Sequence, residues 1–170
     1  MLEYQNQNCE LTLKEVSIYH SSFPDSKEIY KDKSEKKIWR YHDATHVIFG
    51  MDVSLEEEAI LDTWAVWGTD FTLIQALSYY KLPELKELQD KLLSEVKVSG
   101  FLKLYKNVFK TKIKVLKRVW KMKKKWPYQF PNEFYDRKIC DLRKEYGISI
   151  LKPEEKEFQK LMWSGVIEDS

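Results

Sequence analysis

Apolar residues recur along most of the chain at spacings of three and four, the periodicity of helices that bury one face. Only five glycines and five prolines interrupt the pattern. We therefore expect an all-α fold, with residues 1–170 forming one compact domain. Helices are predicted over residues 27–49, 55–80, 82–98, 101–126, 133–146 and 153–163. Residues 10–20 suit a short helix or a strand, and residues 21–26 suit a turn.

The predicted helices over 27–49 and 55–80 are joined by a short connection. Gly50 is expected to end the first helix, since glycine adopts the left-handed conformation without steric penalty. Ser54 and Glu57 have the spacing of a capping box, in which the serine caps a backbone amide and the glutamate reaches back to the cap. The turn is then centred on Asp52. The sequence predicts a central antiparallel helical hairpin.

Two of the chain's three histidines lie one helical turn apart in this hairpin. At about 100° per residue, His46 and Asp43 lie within about 100° of His42 on the helix surface, so all three point into one quadrant. His46 and Glu58 are each six residues from Asp52, and residues equidistant from a hairpin turn lie at the same height. The pattern predicts a metal site formed by His42, Asp43, His46 and Glu58.

The donor set of this site indicates the class of metal. Two imidazoles and a carboxylate with open positions suit one Zn²⁺ or Fe²⁺ ion, with zinc favoured, rather than Ca²⁺ or Mg²⁺, which prefer oxygen ligands. The alternative is that the histidines are satisfied core groups. Glu56 and Glu57 are explained by capping and solvation, because acidic side chains favour a helix start.

The helix after Glu58 is apolar nearly all round, as expected of a central helix. In the functional interpretation, Trp64, Trp67 and Phe71 line an apolar slot that leads from the metal and accommodates an isoprenoid tail. In the alternative, these aromatic residues are ordinary core residues.

Positive charge is concentrated between Lys103 and Lys125, which include eleven basic residues and no acidic one. The rest of the chain has 18 basic and 27 acidic residues. A basic amphipathic helix with tryptophans favours contact with an anionic membrane over a solvated face or a nucleic-acid surface. Membrane contact is predicted for Lys117, Lys121, Lys123, Lys124, Lys125, Trp120 and Trp126.

The two cysteines, Cys9 and Cys140, form no CxxC pair, which favours a reducing intracellular compartment. The sequence has neither a signal-peptide h-region nor an apolar run long enough to span a bilayer. The expected location is the cytoplasm, as a peripheral membrane protein. Homo-oligomerisation is left open.

The segment His42-Asp43-x-x-His46, followed by eleven residues and Glu58, resembles the HDxxH-x11-E signature of the coenzyme Q biosynthesis protein four family. The similarity continues through residues 46–51 and through residues 135–148, which resemble the family's closing helix. It covers about residues 36–150. Before the motif, residues 37–41 read Lys-Ile-Trp-Arg-Tyr, where the family usually has an Arg-Tyr-Arg-Glu-like run.

The resemblance implies an all-helical protein attached peripherally to a quinone-making membrane, with a zinc or iron site and a cavity for a polyprenyl tail. The family's metal-binding positions correspond to His42, Asp43, His46 and Glu58. The implied function is removal of the ring carboxylate from a prenylated hydroxybenzoate, organisation of quinone-biosynthesis enzymes, or both.

Two further functions follow from the same residues. The protein could be a non-catalytic scaffold that presents a prenyl lipid to partner enzymes. It could also be an HD-type phosphohydrolase, using His20, His42, Asp43 and either Asp62 or Asp70. The phosphohydrolase ranks last, because it leaves His46 and the spacing of Glu58 unexplained. HExxH metalloproteases differ in having glutamate at the position of Asp43.

Overall fold

The computed structural model describes residues 2–20, 35–72 and 83–159, with side chains described for residues 2–16, 40–72 and 100–159. Five α-helices and no strands occur in these ranges, which confirms the predicted all-α fold. The helices are α1 (Leu13–His20), α2 (Glu35–Phe49), α3 (Leu55–Gly68), α4 (Pro83–Val119) and α5 (Ile139–Tyr146). Short 3-10 helices occur at Glu3–Gln5, Asn132–Asp136 and Pro153–Glu155.

The predicted hairpin is formed by α2 and α3. Gly50 has a φ of 68°, as expected of a residue that ends a helix in the left-handed conformation. A Cβ atom at this position would lie 3.0 Å from Cδ1 of Ile150, so the close packing also favours glycine. The first part of the predicted helix, residues 27–34, and the predicted turn at 21–26 lie outside the described residues.

The turn between α2 and α3 differs from the predicted capping box. The Ser54 hydroxyl donates to the Asp52 carboxylate at 2.5 Å and makes no cap hydrogen bond to α3. Glu57 instead accepts the backbone N–H of Asp52 at 2.7 Å. Glu56 and Glu57 are both buried, so their explanation by solvation is wrong. Lys156 lies 2.7 Å from a carboxylate oxygen of Glu57 and compensates its buried charge.

The helix α3 ends at Gly68, not at residue 80 as predicted. The backbone N–H of Trp126 donates to the Gly68 carbonyl at 2.9 Å, and that of Asp70 donates to the Trp126 carbonyl at 3.1 Å. Thr69 is extended and forms a short bridge with Trp126. Backbone pairing with a distant segment therefore replaces the next helical turn. Residues 73–82 lie outside the described part of the chain.

The two helices predicted over residues 82–98 and 101–126 form one helix, α4. It begins at Pro83 and continues through Gly100, whose helical penalty of about 1 kcal/mol is too small to end a long helix. It stops at Val119, seven residues before Trp126. The backbone N–H of Lys123 then donates to the Tyr146 carbonyl at 2.9 Å, which carries the chain onto α5.

The C-terminal predictions are correct in position and only partly correct in type. Residues 133–146 divide into the 3-10 helix Asn132–Asp136 and α5, which ends at Gly147 with a φ of 70°, as predicted. Of the helix predicted over 153–163, the described residues form the 3-10 turn Pro153–Glu155, and residues 160–163 lie outside them. Of residues 10–20, Leu13–His20 form the helix α1, and Thr12 forms an isolated antiparallel bridge with Lys138.

The core of the described residues is organised around a buried arginine, Arg143, whose side chain is fully excluded from solvent. Its guanidinium donates to the carbonyls of Val47 and Ile48 at 2.8 and 2.9 Å, in the last turn of α2. It also donates to the carbonyls of Tyr4 and Asn6 at 2.7 and 2.6 Å. The positive charge therefore lies at the negative end of α2, where it is favourable, and donates to the carbonyls of its last turn. One side chain joins α5, α2 and the N-terminal segment.

We predict that Arg143→Met lowers the free energy of unfolding by about 3–5 kcal/mol, because the buried carbonyls of Tyr4, Val47 and Ile48 lose a charged hydrogen-bond donor. Urea unfolding followed by circular dichroism measures the effect. Lys144→Met, at an exposed position of the same helix, is the matched control and should change stability by less than about 0.5 kcal/mol. Equal effects of the two substitutions would contradict this role of Arg143.

Candidate metal site

The helices α2 and α3 bring His46 and Glu58 into direct contact. Nε2 of His46 lies 2.9 Å from Oε1 of Glu58. This confirms the expectation that residues equidistant from Asp52 face each other across the hairpin. The contact occurs between the last turn of one helix and the first turn of the next, where the connection restricts their relative position most strongly.

His42 lies one turn earlier on α2 and faces the same carboxylate. Its Nε2 is 3.8 Å from Oε2 of Glu58, and the two imidazole rings are 4.7 Å apart at an interplanar angle of 69°. One donor atom from each of His42, His46 and Glu58 lies within 4.8 Å of the others. The three side chains could therefore hold a metal ion.

The exposure and charge of the three side chains suit a metal site that a ligand can reach. The His46 side chain is buried at 2%, whereas those of His42 and Glu58 are 29% and 37% exposed. Burial opposes the ionised form of Glu58, but the adjacent His46 and His42 lower its pKa to about 2. Burial likewise opposes protonation of His42, yet the neighbouring carboxylates of Asp43 and Glu58 raise its pKa. Glu58 is thus ionised at neutral pH and could serve as a carboxylate ligand.

Asp43 lies beside His42, outside the group of three donors. Its Oδ1 is 3.8 Å from Nδ1 of His42, whereas Nε2 of that ring faces Glu58. This arrangement favours the role of a carboxylate that orients a metal-binding histidine over that of a direct ligand. The sequence predicts Asp43 as a member of the metal site, and the structure places it next to the three donors.

The donor set fits a divalent transition metal. Ligand atoms bound to one Zn²⁺ ion at about 2.0–2.2 Å are separated from one another by ~3–4 Å, close to the distances from Glu58 to the two histidines. Two nitrogens and one carboxylate oxygen also leave a coordination position for a water or a substrate.

Three further side chains lie beside the candidate site. Asp62 follows Glu58 by one helical turn, and its pKa is raised by burial and by the negative charge of Glu58, while Lys112 and His42 oppose the shift. The hydroxyl of Tyr105 donates to Oδ2 of Asp62 at 3.3 Å. The ammonium of Lys112 lies 4.1 Å from the centre of the Tyr105 ring. The i, i+4 spacing of Glu58 and Asp62 was readable in the sequence, but the packing of α4 on α3 was not.

The aromatic residues of the predicted lipid slot lie in three different environments. Trp64 is fully buried and stacks on Phe49 with ring centres 4.6 Å apart. Trp67 is exposed at 56%, and Phe71 packs against Tyr128 at 4.6 Å. The core interpretation therefore applies to Trp64, and the slot stays a prediction. A cavity of about 410 Å³ lies elsewhere, beside Asp52, Glu57 and Lys156.

The predicted membrane-contact residues are mostly at the surface. Lys117, Lys121, Lys123 and Lys125 are exposed, and Lys124 forms an ion pair with Glu145 at 2.7 Å. Trp120 is 77% exposed. The prediction is wrong for Trp126, which is fully buried among Phe130, Phe134 and Tyr146, because its backbone pairs with Gly68 and Asp70 at the end of α3.

Comparisons of the chain with models of protein families, with curated proteins and with solved structures gave no match. Within the described ranges, no helix combines the length and the apolarity needed to cross a bilayer.

We predict that the purified protein binds about one equivalent of Zn²⁺ and that His46→Ala abolishes this binding, because His46 is the buried nitrogen donor of the site. Equilibrium dialysis followed by elemental analysis measures the stoichiometry. His20→Ala removes the remaining histidine of the sequence and should leave binding unchanged. Equal zinc contents of the two variants would exclude the site.

For Asp43→Asn we expect one bound zinc with affinity lowered by ~10–100-fold, because an amide orients His42 less strongly than a carboxylate does. Competition with a chromophoric chelator gives the dissociation constant. Asp141→Asn, an exposed substitution on α5, is the control. Complete loss of zinc from Asp43→Asn would instead identify Asp43 as a direct ligand.

Proposed function

We propose that this protein binds one divalent transition metal, Zn²⁺ or Fe²⁺, through His42, His46 and Glu58 and removes the ring carboxylate of a prenylated hydroxybenzoate in quinone biosynthesis. The convergence of these three side chains on one point carries the metal part of the proposal. The resemblance of the HDxxH-x11-E segment to the coenzyme Q biosynthesis protein four family supports the reaction and the substrate class.

The bound metal would supply Lewis-acid chemistry at a carboxylate or phenolate oxygen. His46, buried beneath the site, provides a fixed nitrogen donor, whereas His42 and Glu58 provide donors on the exposed side. Asp43 holds the orientation of the His42 ring. Because the site opens to the surface, an aromatic acid reaches it without a rearrangement of α2 or α3.

The exposed surface of α4 supports the proposed attachment to an anionic membrane. Apolar side chains separated by three or four residues remain exposed along the helix, at Leu102, Tyr105, Phe109 and Ile113, and Trp120 is exposed just beyond its end. Lysines are interspersed with this stripe. Such a face combines interfacial insertion with attraction to anionic lipids, at about 1 kcal/mol for each lysine near the surface. Tyr105 belongs both to this stripe and to the group beside the metal site. A membrane-bound substrate would therefore approach the site directly.

The catalytic prediction is tested with a prenylated hydroxybenzoate labelled with ¹³C at its carboxylate. The metal-loaded protein should release labelled carbon dioxide, with a proton replacing the carboxylate on the ring, and Glu58→Gln should reduce release to background. Glu133→Gln, an exposed substitution away from the site, is the control. A metal-loaded protein that binds the acid without releasing carbon dioxide would contradict catalysis and favour the lipid-binding scaffold.

The membrane prediction is tested by flotation with liposomes rich in phosphatidylserine. Lys117→Glu combined with Lys121→Glu should weaken binding by at least ~100-fold at low salt, since each substitution reverses a charge near the anionic surface. Neither lysine is engaged in an ion pair with a described residue. Lys14→Glu combined with Lys152→Glu makes the same change in net charge elsewhere. Equal flotation of the two double variants would contradict the assignment of this face.

A further inference from the structure

Negative charge surrounds the candidate metal site. Glu58, Asp62 and Asp43 all act electrostatically on His42. A divalent cation neutralises only two of these three carboxylates. An anionic aromatic ligand would thus approach carboxylates whose charge the metal ion does not fully balance, and like charges repel. Binding such a ligand requires a further positive charge.

Lys112 is placed to supply this charge. It lies two helical turns from Tyr105 on the same face of α4, and its ammonium lies over the ring of that tyrosine. Tyr105 in turn donates a hydrogen bond to Asp62. The charges of Lys112, Glu58 and His42 all affect the pKa of Asp62. Two contacts therefore link Lys112 through Tyr105 to Asp62, one helical turn from Glu58.

The ammonium of Lys112 also lacks an acceptor. It is partly buried, yet no described residue forms a hydrogen bond or an ion pair with it, Asp62 included. Two other partly buried basic residues of α4 are engaged: Lys114 pairs with Glu157 at 2.7 Å and Arg118 with Glu155 at 2.6 Å. Burial lowers the pKa of Lys112, consistent with incomplete solvation of its charge. A partly desolvated ammonium without an acceptor favours an anionic partner.

We propose that Lys112 is a specificity residue, which binds the anionic group of an aromatic carboxylate held at the metal site while Tyr105 provides an apolar surface for the ring. This inference rests on the proposed function and adds the residue that would recognise the negative charge of the ligand. Arg40, the basic residue nearest to Asp43 in the sequence, is engaged by Asn132 at 2.6 Å and lies over the Tyr135 ring, so it is less suited to this role.

The test uses the Co²⁺-loaded protein, in which visible absorption bands report ligands that reach the metal. Titration with 4-hydroxybenzoate and with the neutral 4-hydroxybenzamide gives two dissociation constants. Lys112→Met should weaken binding of the carboxylate by about tenfold or more and change that of the amide by less than about twofold. Lys112→Arg should restore most of the affinity, and Lys110→Met, an exposed substitution on the same helix, should have no effect.

The outcomes separate this inference from the proposed function. Failure of the wild-type protein to bind Co²⁺ would overturn the metal site and the role of Lys112 together. Normal Co²⁺ binding with equal carboxylate affinity in the wild type and Lys112→Met would overturn the role of Lys112 alone. Equal weakening of carboxylate and amide binding would also overturn it, since Lys112 would then shape the site without selecting charge. Thermal unfolding of each variant verifies that it is folded.

Discussion

The buried guanidinium of Arg143 is the interaction on which the rest of the described structure depends. A fully buried positive charge without a carboxylate partner is costly unless hydrogen bonds satisfy it, and backbone carbonyls do so here. Its hydrogen bonds to the carbonyls of Val47 and Ile48 fix the last turn of α2, directly after His46. The position of His46 opposite Glu58 therefore depends on a side chain from α5, almost a hundred residues away in the sequence.

The site depends on a local feature, the α2–α3 hairpin, and on contacts with residues distant in the sequence. The α2–α3 hairpin brings His46 and Glu58 within 2.9 Å through the local geometry of its turn. The chemical character of the site depends on more distant residues, because α4 contributes Tyr105 and Lys112 to its exposed side. Local and long-range contacts thus have separate roles, the former assembling the metal ligands and the latter shaping the surface that a substrate meets.

This division explains what the sequence could predict. The facing of His46 and Glu58 followed from their equal distances from Asp52, and the end of α2 from the conformational freedom of Gly50. Features that depend on tertiary pairing could not be read in the same way. The early end of α3 results from backbone pairing of Gly68 with Trp126, which also buries a tryptophan predicted to contact membrane. The burial of Glu57 required a partner, Lys156, that lies far along the chain.

In the proposed site, two imidazoles and one carboxylate bind a single metal ion. X-ray absorption at the zinc edge of the metal-loaded protein can test this ligand set, because the scattering pattern distinguishes imidazole, oxygen and sulfur ligands. We expect two imidazole ligands and oxygen ligands at ~2.0–2.1 Å, with no sulfur. A sulfur ligand at ~2.3 Å, which would require Cys9 or Cys140, or a shell with fewer than two imidazoles, would contradict it.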